Sequence, residues 1–297
     1  MSKSSSQNSE PENLIAFQGE PGAYSDLAAR QVFPEMTTLP CAAFEDAFAA
    51  VSQCRARLAM IPIENSVAGR VADIHHLLPE SDLHIIGEHF QRVDHHLLAI
   101  KGATIEGLIR VHSHVHALSQ CRKLIRELGV EPVIHADTAG SAAMIAGMGD
   151  PTQGAIASKL AGEIYGLQSL RANIEDAEHN TTRFLIMARE AIDPGLESED
   201  NKIITSFIFR VKNIPAALYK ALGGFASNSV NMTKLESYLV GGSFQAAQFY
   251  AEVEGHPESP ALKRALEELN FFTHEVKILG VYPAHPFREH DNGGGED

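Results

Sequence analysis

The chain has 297 residues, which is enough for two modest domains or one large one. Hydrophobic residues make up 44% and charged residues 21%, both ordinary values for a globular protein. The formal net charge of −14 argues against a general binder of nucleic acids or anionic membranes, because both attract basic surfaces. No apolar run is long enough to span a membrane.

The two chain ends and the cysteines indicate the cellular compartment of the protein. "MSKSSSQNSEPEN" lacks the apolar segment of a secretory signal, so we expect a disordered tail over residues 1–12. "REHDNGGGED" predicts a second tail, over 285–297. The scattered cysteines Cys41, Cys54 and Cys121 form no CxxC pair, which indicates reduced thiols in the cytoplasm. Packed thiols are commoner than nucleophilic ones, so we do not expect a catalytic cysteine.

From about residue 13, short apolar runs alternate with helical patterns, which predicts an α/β domain with mostly parallel sheets. The first predicted strands are 14–19, 37–41, 58–65 and the extended stretch 83–100, and the first helices are 23–33, 44–54 and 71–78. The pattern then restarts, with strands at 108–113, 131–138, 154–158 and 182–189 and helices at 116–128, 139–148 and 159–167. Two such units predict two lobes with a ligand-binding cleft, about 13–95 with 183–190, and 96–182.

The composition changes after residue 190. Residues 191–202 are acidic and contain Pro and Gly, as expected for a linker. Residues 203–284 then alternate as strand, helix, strand, strand, helix, strand, with a hairpin about Gly241–Gly242 and Ser259 capping the last helix. This βαββαβ order predicts a ferredoxin-like domain.

Polar side chains gather at four turns of the first domain. In "GEPGAYS", Gly19 and Gly22 permit a tight turn before a helix whose free N–H groups favour an anion, although an ordinary strand-to-helix turn would look the same. In "PIENS", the residues after the buried strand either face a ligand or cap a helix. In "NTTRF", hydroxyl, amide and guanidinium groups crowd a strand entrance, where Thr is also common for structural reasons.

The fourth turn, "RVHSHVHALSQC", carries histidines at alternate positions. On one strand face His112, His114 and His116 would resemble a zinc site. Apolar "LIRVH" instead predicts a strand ending at His112, and the helix 116–128 then begins with Ser113 as a plausible cap. The three rings therefore cannot share a face, and we predict no metal site.

These motifs together resemble the prephenate dehydratase family over about residues 14–283. The matching stretches are "GxxGAYS" (19–25), "PIENS" (62–66), "SH…LSQC" (113–121), "DTAGSAA" (137–143), "YGL" (165–167) and "NTTRF" (180–184), with "LYKAL" (218–222), "NMTKLES" (231–237) and "LGVYP" (279–283) in the second domain. The resemblance implies a two-lobed catalytic domain like periplasmic binding proteins (13–190) and a regulatory ACT domain (203–284). No chorismate-mutase segment precedes residue 14, so the monofunctional form is expected.

The implied activity is that of a decarboxylating carbon–oxygen lyase, which converts prephenate into phenylpyruvate, CO2 and water without a cofactor. The resemblance assigns catalysis to Thr182, Asn65 and Gln120. The expected substrate-binding residues are Tyr24, Ser25, Glu64, Ser66, Ser113, His114, Thr138, Asn180, Arg183 and Phe184. Arg183 is open between a carboxylate ligand and a structural role, and helix N-termini after residues 22, 113 and 138 are expected to hold substrate carboxylates.

The resemblance also implies feedback by L-phenylalanine and a homodimer or homotetramer. The expected effector residues are Asn213, Ala216, Ala217, Leu218, Asn231, Glu236 and Ser237. The chain departs from the family where Ala216 replaces Gly and where Tyr238–Leu239 replaces Arg-Pro, which puts the feedback in question. His116 also departs from the usual pattern, at the turn before the helix.

Three alternatives stay open from the residues alone. Arogenate, in which an amine replaces the keto group, is a possible substrate of the same chemistry. A two-lobed fold also suits a non-catalytic small-molecule-binding protein. A metallohydrolase built on the histidines is the third.

Overall fold

The computed structural model describes residues 11–177, 179–196, 202–239 and 247–291. Backbone contacts divide the chain into unit 1, Met1–Val71 with His89–Phe184, and unit 2, Ala72–Glu88 with Leu185–Asp297. Two of the three boundaries of this division cut through strands, so the predicted domain boundaries stay a prediction. Within the described residues, no helix is long and apolar enough to cross a membrane.

The first sheet has six strands, ordered β2-β1-β3-β11-β5, with β4 paired to β3. Its strands are β1 (Leu14–Gln18), β2 (Thr37–Cys41), β3 (Leu58–Asn65), β4 (Gly69–Arg70), β5 (His84–Arg92) and β11 (Thr181–Ala188). The helices between them are α1 (Tyr24–Val32), α2 (Phe44–Ser52) and α3 (Ala72–Glu80). β1 runs parallel to β2 and β3. The apolar run of β3 is almost wholly buried, as expected for a central strand covered on both faces.

The second sheet lies within unit 1 and is ordered β10-β6-β9-β7-β8. Its strands are β6 (His96–Ala99), β7 (Arg110–Ser113), β8 (Glu131–Ile134), β9 (Gln153–Ala157) and β10 (Gln168–Arg171), with helices α4 (Val115–Gln120), α5 (Arg122–Leu128), α6 (Thr138–Met148) and α7 (Lys159–Tyr165). β7 is parallel to β8 and β9, whereas β6 is antiparallel to both of its neighbours, β9 and β10. The polar strand β10 was not predicted, since its four residues carry no apolar run.

The helix predicted over 116–128 is wrong in one respect: it breaks at Cys121. Asp176 supplies the reason, because its carboxylate accepts from the backbone N–H of Arg122 (3.0 Å) and Lys123 (3.2 Å) and so caps a new helix. The N–H of Asp176 in turn donates to the carbonyl of Gln120 at 2.6 Å. The predicted cap is also corrected, since His114 and not Ser113 precedes α4, accepting from His116 N–H.

The turn after β1 is held against the second sheet of unit 1. The Ser158 hydroxyl donates to the Gly22 carbonyl, and the Tyr165 hydroxyl donates to the Pro21 carbonyl at 3.0 Å. Gly22 has a φ of +93°, and a Cβ there would lie 2.6 Å from the Cα of Ala161. The glycine is therefore required both by its backbone conformation and by the close approach of α7.

Unit 2 contains the predicted βαββαβ arrangement. It comprises β12 (Ile203–Val211), α8 (Ala217–Ser227), β13 (Met232–Leu239), β14 (Ala247–Glu254), α9 (Pro260–Phe272) and β15 (Thr273–Pro283). The sheet order is β13-β14-β12-β15, antiparallel throughout, as in ferredoxin-like folds. Its core is aromatic and aliphatic, with Phe207, Phe209, Phe225 and Leu262 buried. The predicted hairpin at Gly241–Gly242 lies outside the described residues.

The predicted C-terminal tail is ordered where the structure describes it. Phe287–Asp291 forms α10, and Arg288 pairs with Glu88 at 2.7 Å and with Glu252 at 2.7 Å. Both carboxylates are fully buried. At the other end, Pro11–Asn13 forms a single 3₁₀ turn before β1.

Candidate active site

Asn65, the last residue of β3, lies beside the start of β11 in unit 1. Its side-chain Nδ2 donates to Asn180 Oδ1 at 2.8 Å and to Thr182 Oγ1 at 2.9 Å. Its Oδ1 accepts from the backbone N–H groups of Val67 (3.0 Å) and Ala68 (2.8 Å). Because backbone N–H groups can only donate, they fix which end of the Asn65 amide faces Thr182.

The Thr182 hydroxyl is oriented so that it can donate a hydrogen bond. Its oxygen accepts from Asn65, and among the described residues no acceptor takes its own hydrogen. A hydroxyl whose lone pair is engaged in this way keeps one proton directed elsewhere. Thr182 is half-buried, so the residue is in part open to solvent.

From Asn65, a chain of hydrogen bonds continues within unit 1 to residues next to the second sheet. Asn180, which is buried, donates from Nδ2 to Gln120 Oε1 at 2.9 Å. Gln120 Oε1 lies 3.0 Å from His95 Nε2, and His95 Nδ1 lies 3.0 Å from the Tyr24 hydroxyl. The structure thus brings together the three predicted catalytic residues and adds His95 between two predicted ones.

Ser66 holds the segment that carries Asn180 and Thr182. Its hydroxyl donates to the carbonyl of His179 at 2.6 Å and accepts from the N–H of Thr181 at 2.9 Å. Its backbone N–H donates to the Thr181 carbonyl at 2.9 Å. Ser66 is therefore placed to position the cluster.

A cavity of about 230 Å³ opens beside this cluster. It is lined by Val67, Ala68, His116, Ser119, Gln120, Arg122, Asp176, Ala177 and Asn180. The Arg122 guanidinium provides a positive charge at the rim, and the amides of Gln120 and Asn180 provide neutral polar groups. His116, where the chain departs from the pattern of the family that it resembles, also lines this cavity.

Other predicted substrate-binding residues have structural partners. Arg183 pairs with Glu64 at 2.9 Å, lies over the Phe90 ring and is only 4% exposed. Phe184 is a core residue of β11 at 1% exposure. The buried Ser113 hydroxyl donates to the Ile156 carbonyl at 2.6 Å. The geometry thus indicates that Arg183, Phe184 and Ser113 support the site without facing its cavity.

The predicted anion sites at helix N-termini differ from one another. Asp137 caps α6 with its own carboxylate, so the position after residue 138 is already occupied by negative charge, beside half-buried Thr138. His114 fills the cap of α4 with its ring nitrogen. Ser25 lies buried in the first turn of α1, where no side-chain cap is present. The buried carboxylate of Asp26 in that turn accepts from the N–H of Gly22 at 2.8 Å, so negative charge already lies at this terminus as well.

Burial sets the protonation of the network. Desolvation raises the pKa of Tyr24 well above its ordinary value, with Glu175 adding to the effect. Desolvation lowers the pKa of His95, and the hydrogen bond with Gln120 opposes this only in part. Desolvation and the nearby Asp176 raise the pKa of Cys121 far above the ordinary value, so this thiol stays protonated and is a poor nucleophile.

The histidines of the opening turn are spread over different environments. His112 is buried, with Nε2 2.9 Å from Gln153 Oε1, whereas the rings of His114 and His116 lie 5.1 Å apart at the start of α4. Over the described ranges, no group of three or more His, Cys, Asp or Glu side chains is placed to hold a metal ion.

The predicted effector residues lie around α8 and β13 in unit 2. Ala216 precedes α8 with a φ of +60°, the left-handed region in which the family's glycine costs nothing. Asn213, Asn231 and Ser237 are exposed, and Glu236 lies 3.4 Å from Lys234. Ala217 is buried and Leu218 packs on the core of this unit.

Sequence reasoning missed His95 and Asp176. His95 lies in the extended stretch 83–100, where nothing in the residue pattern distinguishes it from His96. Asp176 lies in an irregular segment before β11, and its role follows only from its contact with the backbone of α5.

The fold and the cluster define a two-lobed α/β enzyme whose site combines one free hydroxyl donor with three side-chain amides. The family model for prephenate dehydratase matches residues 15–192, and the chain belongs to that family. It is accordingly a carbon–oxygen lyase of the prephenate dehydratase type.

Three similar proteins agree with this assignment. A Komagataeibacter europaeus protein named bifunctional N-acyl-homoserine lactone acylase/prephenate dehydratase is 56% identical over 277 residues, covering 93% of this chain and 98% of its own. Arogenate dehydratase/prephenate dehydratase 1 of Arabidopsis thaliana is 39% identical over 293 residues, covering 94% of this chain and 74% of its own. The structure of an Arthrobacter aurescens prephenate dehydratase in complex with L-Phe is 28% identical, with a TM-score of 0.83 and coverage of 93% and 91% respectively.

Proposed function

We propose that the enzyme converts prephenate into phenylpyruvate, CO2 and water, as a step of phenylalanine biosynthesis. The observation that carries the proposal is the Asn65–Thr182 hydrogen bond of 2.9 Å, which leaves the Thr182 proton free. In this reaction the bond from the ring to its carboxylate breaks, CO2 departs, and the bonding electrons enter the ring. The ring hydroxyl leaves on the other side with a proton, as water.

Thr182 is the proposed donor to the departing hydroxyl. A threonine hydroxyl is a weak acid, so it acts as an oriented hydrogen-bond donor, and its proton is restored from solvent. General-acid assistance contributes on the order of 10²–10⁴-fold. Asn65 raises the donor strength of Thr182 by donating to its oxygen, since bonds in a chain polarise one another.

The neutral amides suit a dianionic substrate. Asn180 and Gln120 face the cavity and add hydrogen-bonding capacity without adding negative charge to a protein of net charge −14. Arg122 at the cavity rim is the proposed partner of a substrate carboxylate. Preorganised groups of this kind stabilise a transition state more than mobile water does.

Arogenate is the alternative substrate, because the Arabidopsis thaliana relative is named both arogenate dehydratase and prephenate dehydratase. The deciding experiment measures kcat/KM for prephenate and for arogenate with the purified enzyme, following phenylpyruvate or phenylalanine by chromatography. We expect prephenate to be preferred. Thr182→Ala should fold normally and lose most of kcat. A wild-type enzyme that turns over neither compound would overturn the proposal.

We also propose that unit 2 is an ACT domain that binds L-phenylalanine, in an assembly of two or four copies. Support comes from the βαββαβ order and from the relative solved with L-Phe. Ala216 and Tyr238–Leu239 replace family residues, so the affinity should be reduced rather than standard. Thermal shift and inhibition are measured with L-phenylalanine, with D-phenylalanine as control. Ala216→Gly should strengthen both responses, and the absence of any L-phenylalanine response would refute the claim.

A second candidate activity is hydrolysis of the amide of N-acyl-homoserine lactones, favoured by the 56% identity to the bifunctional relative. Unit 1 contains a hydroxyl–imidazole contact apart from the Thr182 cluster, with Ser169 Oγ 2.8 Å from His96 Nδ1. Release of free homoserine lactone is measured for the wild type, Thr182→Val and Ser169→Ala. Loss in Ser169→Ala alone would assign a separate site, and no release by the wild type would exclude the activity.

A further inference from the structure

His95 occupies a central place in the hydrogen-bond chain of unit 1. Its side chain is 2% exposed and lies between the Tyr24 hydroxyl and Gln120, next to β6. The Tyr24 and His95 rings meet edge to face with centroids 5.6 Å apart. The backbone N–H of His95 donates to Glu175 Oε2 at 3.0 Å, which holds the main chain in place.

The direction of every bond in the chain follows from its far end. The N–H groups of Val67 and Ala68 turn Asn65 Oδ1 toward themselves, so Asn65 Nδ2 must donate to Asn180 Oδ1. Asn180 then presents its Nδ2 to Gln120, and Gln120 must offer an oxygen.

The same order determines the tautomer of His95. A Gln120 oxygen within 3.0 Å of Nε2 requires a hydrogen on Nε2. In a neutral imidazole Nδ1 is then an acceptor, and among the described residues the hydrogen bond recorded at Nδ1 is with the Tyr24 hydroxyl at 3.0 Å. Tyr24 also lies 2.7 Å from the Asp94 carbonyl, so its hydrogen is shared between two acceptors.

We propose that His95 is a positioning residue for the dehydration, whose Nε2–H holds the Gln120 oxygen and thereby keeps Asn180 fixed beside Asn65 and the start of the segment that carries Thr182. If His95 offered no hydrogen, Gln120 would be free to turn its amide, and Asn180 would lose its acceptor. Asn180 would then be free to shift, and its Oδ1 would no longer be held against Asn65 Nδ2. This inference rests on the proposed function, because its readout is prephenate turnover.

The surroundings of His95 favour the neutral ring. Burial lowers the pKa of His95, while the carboxylates of Glu175 and Asp94 act in the opposite direction and His96 adds to the lowering. The Tyr24 hydroxyl and the Cys121 thiol are also in this region, and both stay protonated because burial raises their pKa values. Two charged groups complete the surroundings: Arg92, 3.9 Å from Glu175, and Asp176, which adds to the raised pKa of Cys121. Protonation of Nδ1 in acid would reverse the contact with Tyr24.

The test compares His95→Leu, which removes the donor, with His95→Gln, whose amide offers a hydrogen near the position of Nε2. His112→Leu is the matched control, because His112 is also buried and bonded to a glutamine but lies outside the chain. Initial rates on prephenate are measured from pH 5 to 9 together with the melting temperature. The expected result is a roughly 10²-fold loss of kcat in His95→Leu with little change in KM, as for a misplaced reacting group.

His95→Gln should recover most of kcat, and its pH–rate profile should lose the part of the acid limb that is due to titration of the imidazole. His112→Leu should keep kcat. The inference is overturned if His95→Leu keeps kcat within a few-fold, if both leucine variants lose activity equally, or if His95→Gln is as impaired as His95→Leu while folded. Should His95→Leu not fold, His95→Gln is compared with Tyr24→Phe. A folded His95→Gln enzyme that loses most of kcat would again overturn the inference. An inactive wild type would instead refute the proposed function.

Discussion

The Nδ2 of Asn65 lies 2.9 Å from the Oγ1 of Thr182, although the two residues are 117 positions apart in the chain. The contact exists because the end of β3 lies beside the start of β11 and because Ser66 bonds the 179–181 segment at three points. It couples an amide whose orientation is fixed by the backbone to a hydroxyl that has a proton to give.

Asn65→Asp should abolish this coupling. A carboxylate cannot donate to Thr182 and would place negative charge beside a departing hydroxyl and a dianionic substrate. We expect kcat to fall by on the order of 10² or more, with the melting temperature close to that of the wild type. Asn173→Asp, an exposed change in the same unit, is the control and should leave kcat unchanged. An active Asn65→Asp enzyme would contradict the assigned role.

Arg183→Ala should act on stability. Its guanidinium is 4% exposed and pairs with Glu64 at 2.9 Å, so its removal leaves a partly buried carboxylate without this partner. Breaking such a pair costs about 3 kcal/mol or more of the free energy of unfolding. The exposed Arg110–Glu131 pair gives the control, where Arg110→Ala should cost about 1 kcal/mol or less. Chemical denaturation measures both.

A different result for Arg183 would revise its role. A large rise in KM for prephenate with unchanged unfolding free energy would show that Arg183 binds a substrate carboxylate directly.

Much of the fold could be predicted because it depends on local patterns. The run "LAMIPIEN" predicts β3 since a strand buried on both faces is apolar throughout, and Ser259 with Pro260 marks the start of α9. The family resemblance predicted that Asn65, Gln120 and Thr182 lie in one site. Their hydrogen-bond partners could be identified only in the structure.

The missed features depend on residues distant in sequence. α4 and α5 separate because Asp176, 54 residues after Arg122, caps the second helix. α10 is ordered because Arg288 reaches Glu88, 200 residues away. No window of sequence contains both members of either pair, so periodicity alone predicted a continuous helix and a disordered tail.

Arg288→Ala should destabilise unit 2. Arg288 neutralises two fully buried carboxylates, Glu88 and Glu252, and charges buried in a protein need such a partner. We expect the free energy of unfolding of unit 2 to fall by about 3–5 kcal/mol. Lys263→Ala, which breaks the exposed pair with Glu258, is the control and should leave the free energy of unfolding nearly unchanged. Equal melting curves for the two variants would contradict the claim that Arg288 on α10 stabilises unit 2.

Acid should weaken the fold through His95. Its folded pKa is lowered by burial, while the unfolded ring has a pKa of about 6.5. Below about pH 6.5 the unfolded chain therefore binds a proton that the folded chain does not, and the free energy of unfolding decreases as pH falls. Denaturation of the wild type and His95→Gln at pH 7.5, 6.5 and 5.5 checks this. The slope should be shallower in the variant, and parallel slopes would refute the assignment.

The central claim is that the Thr182 hydroxyl donates to the departing group, and Thr182→Val tests it most directly. Valine keeps the branched shape of the side chain and removes only the hydrogen-bonding oxygen. Thr182→Ser restores that oxygen and is the matched control. We predict that kcat on prephenate falls by on the order of 10²–10⁴-fold in Thr182→Val and stays within about tenfold in Thr182→Ser. A folded Thr182→Val enzyme with near wild-type kcat would contradict the account.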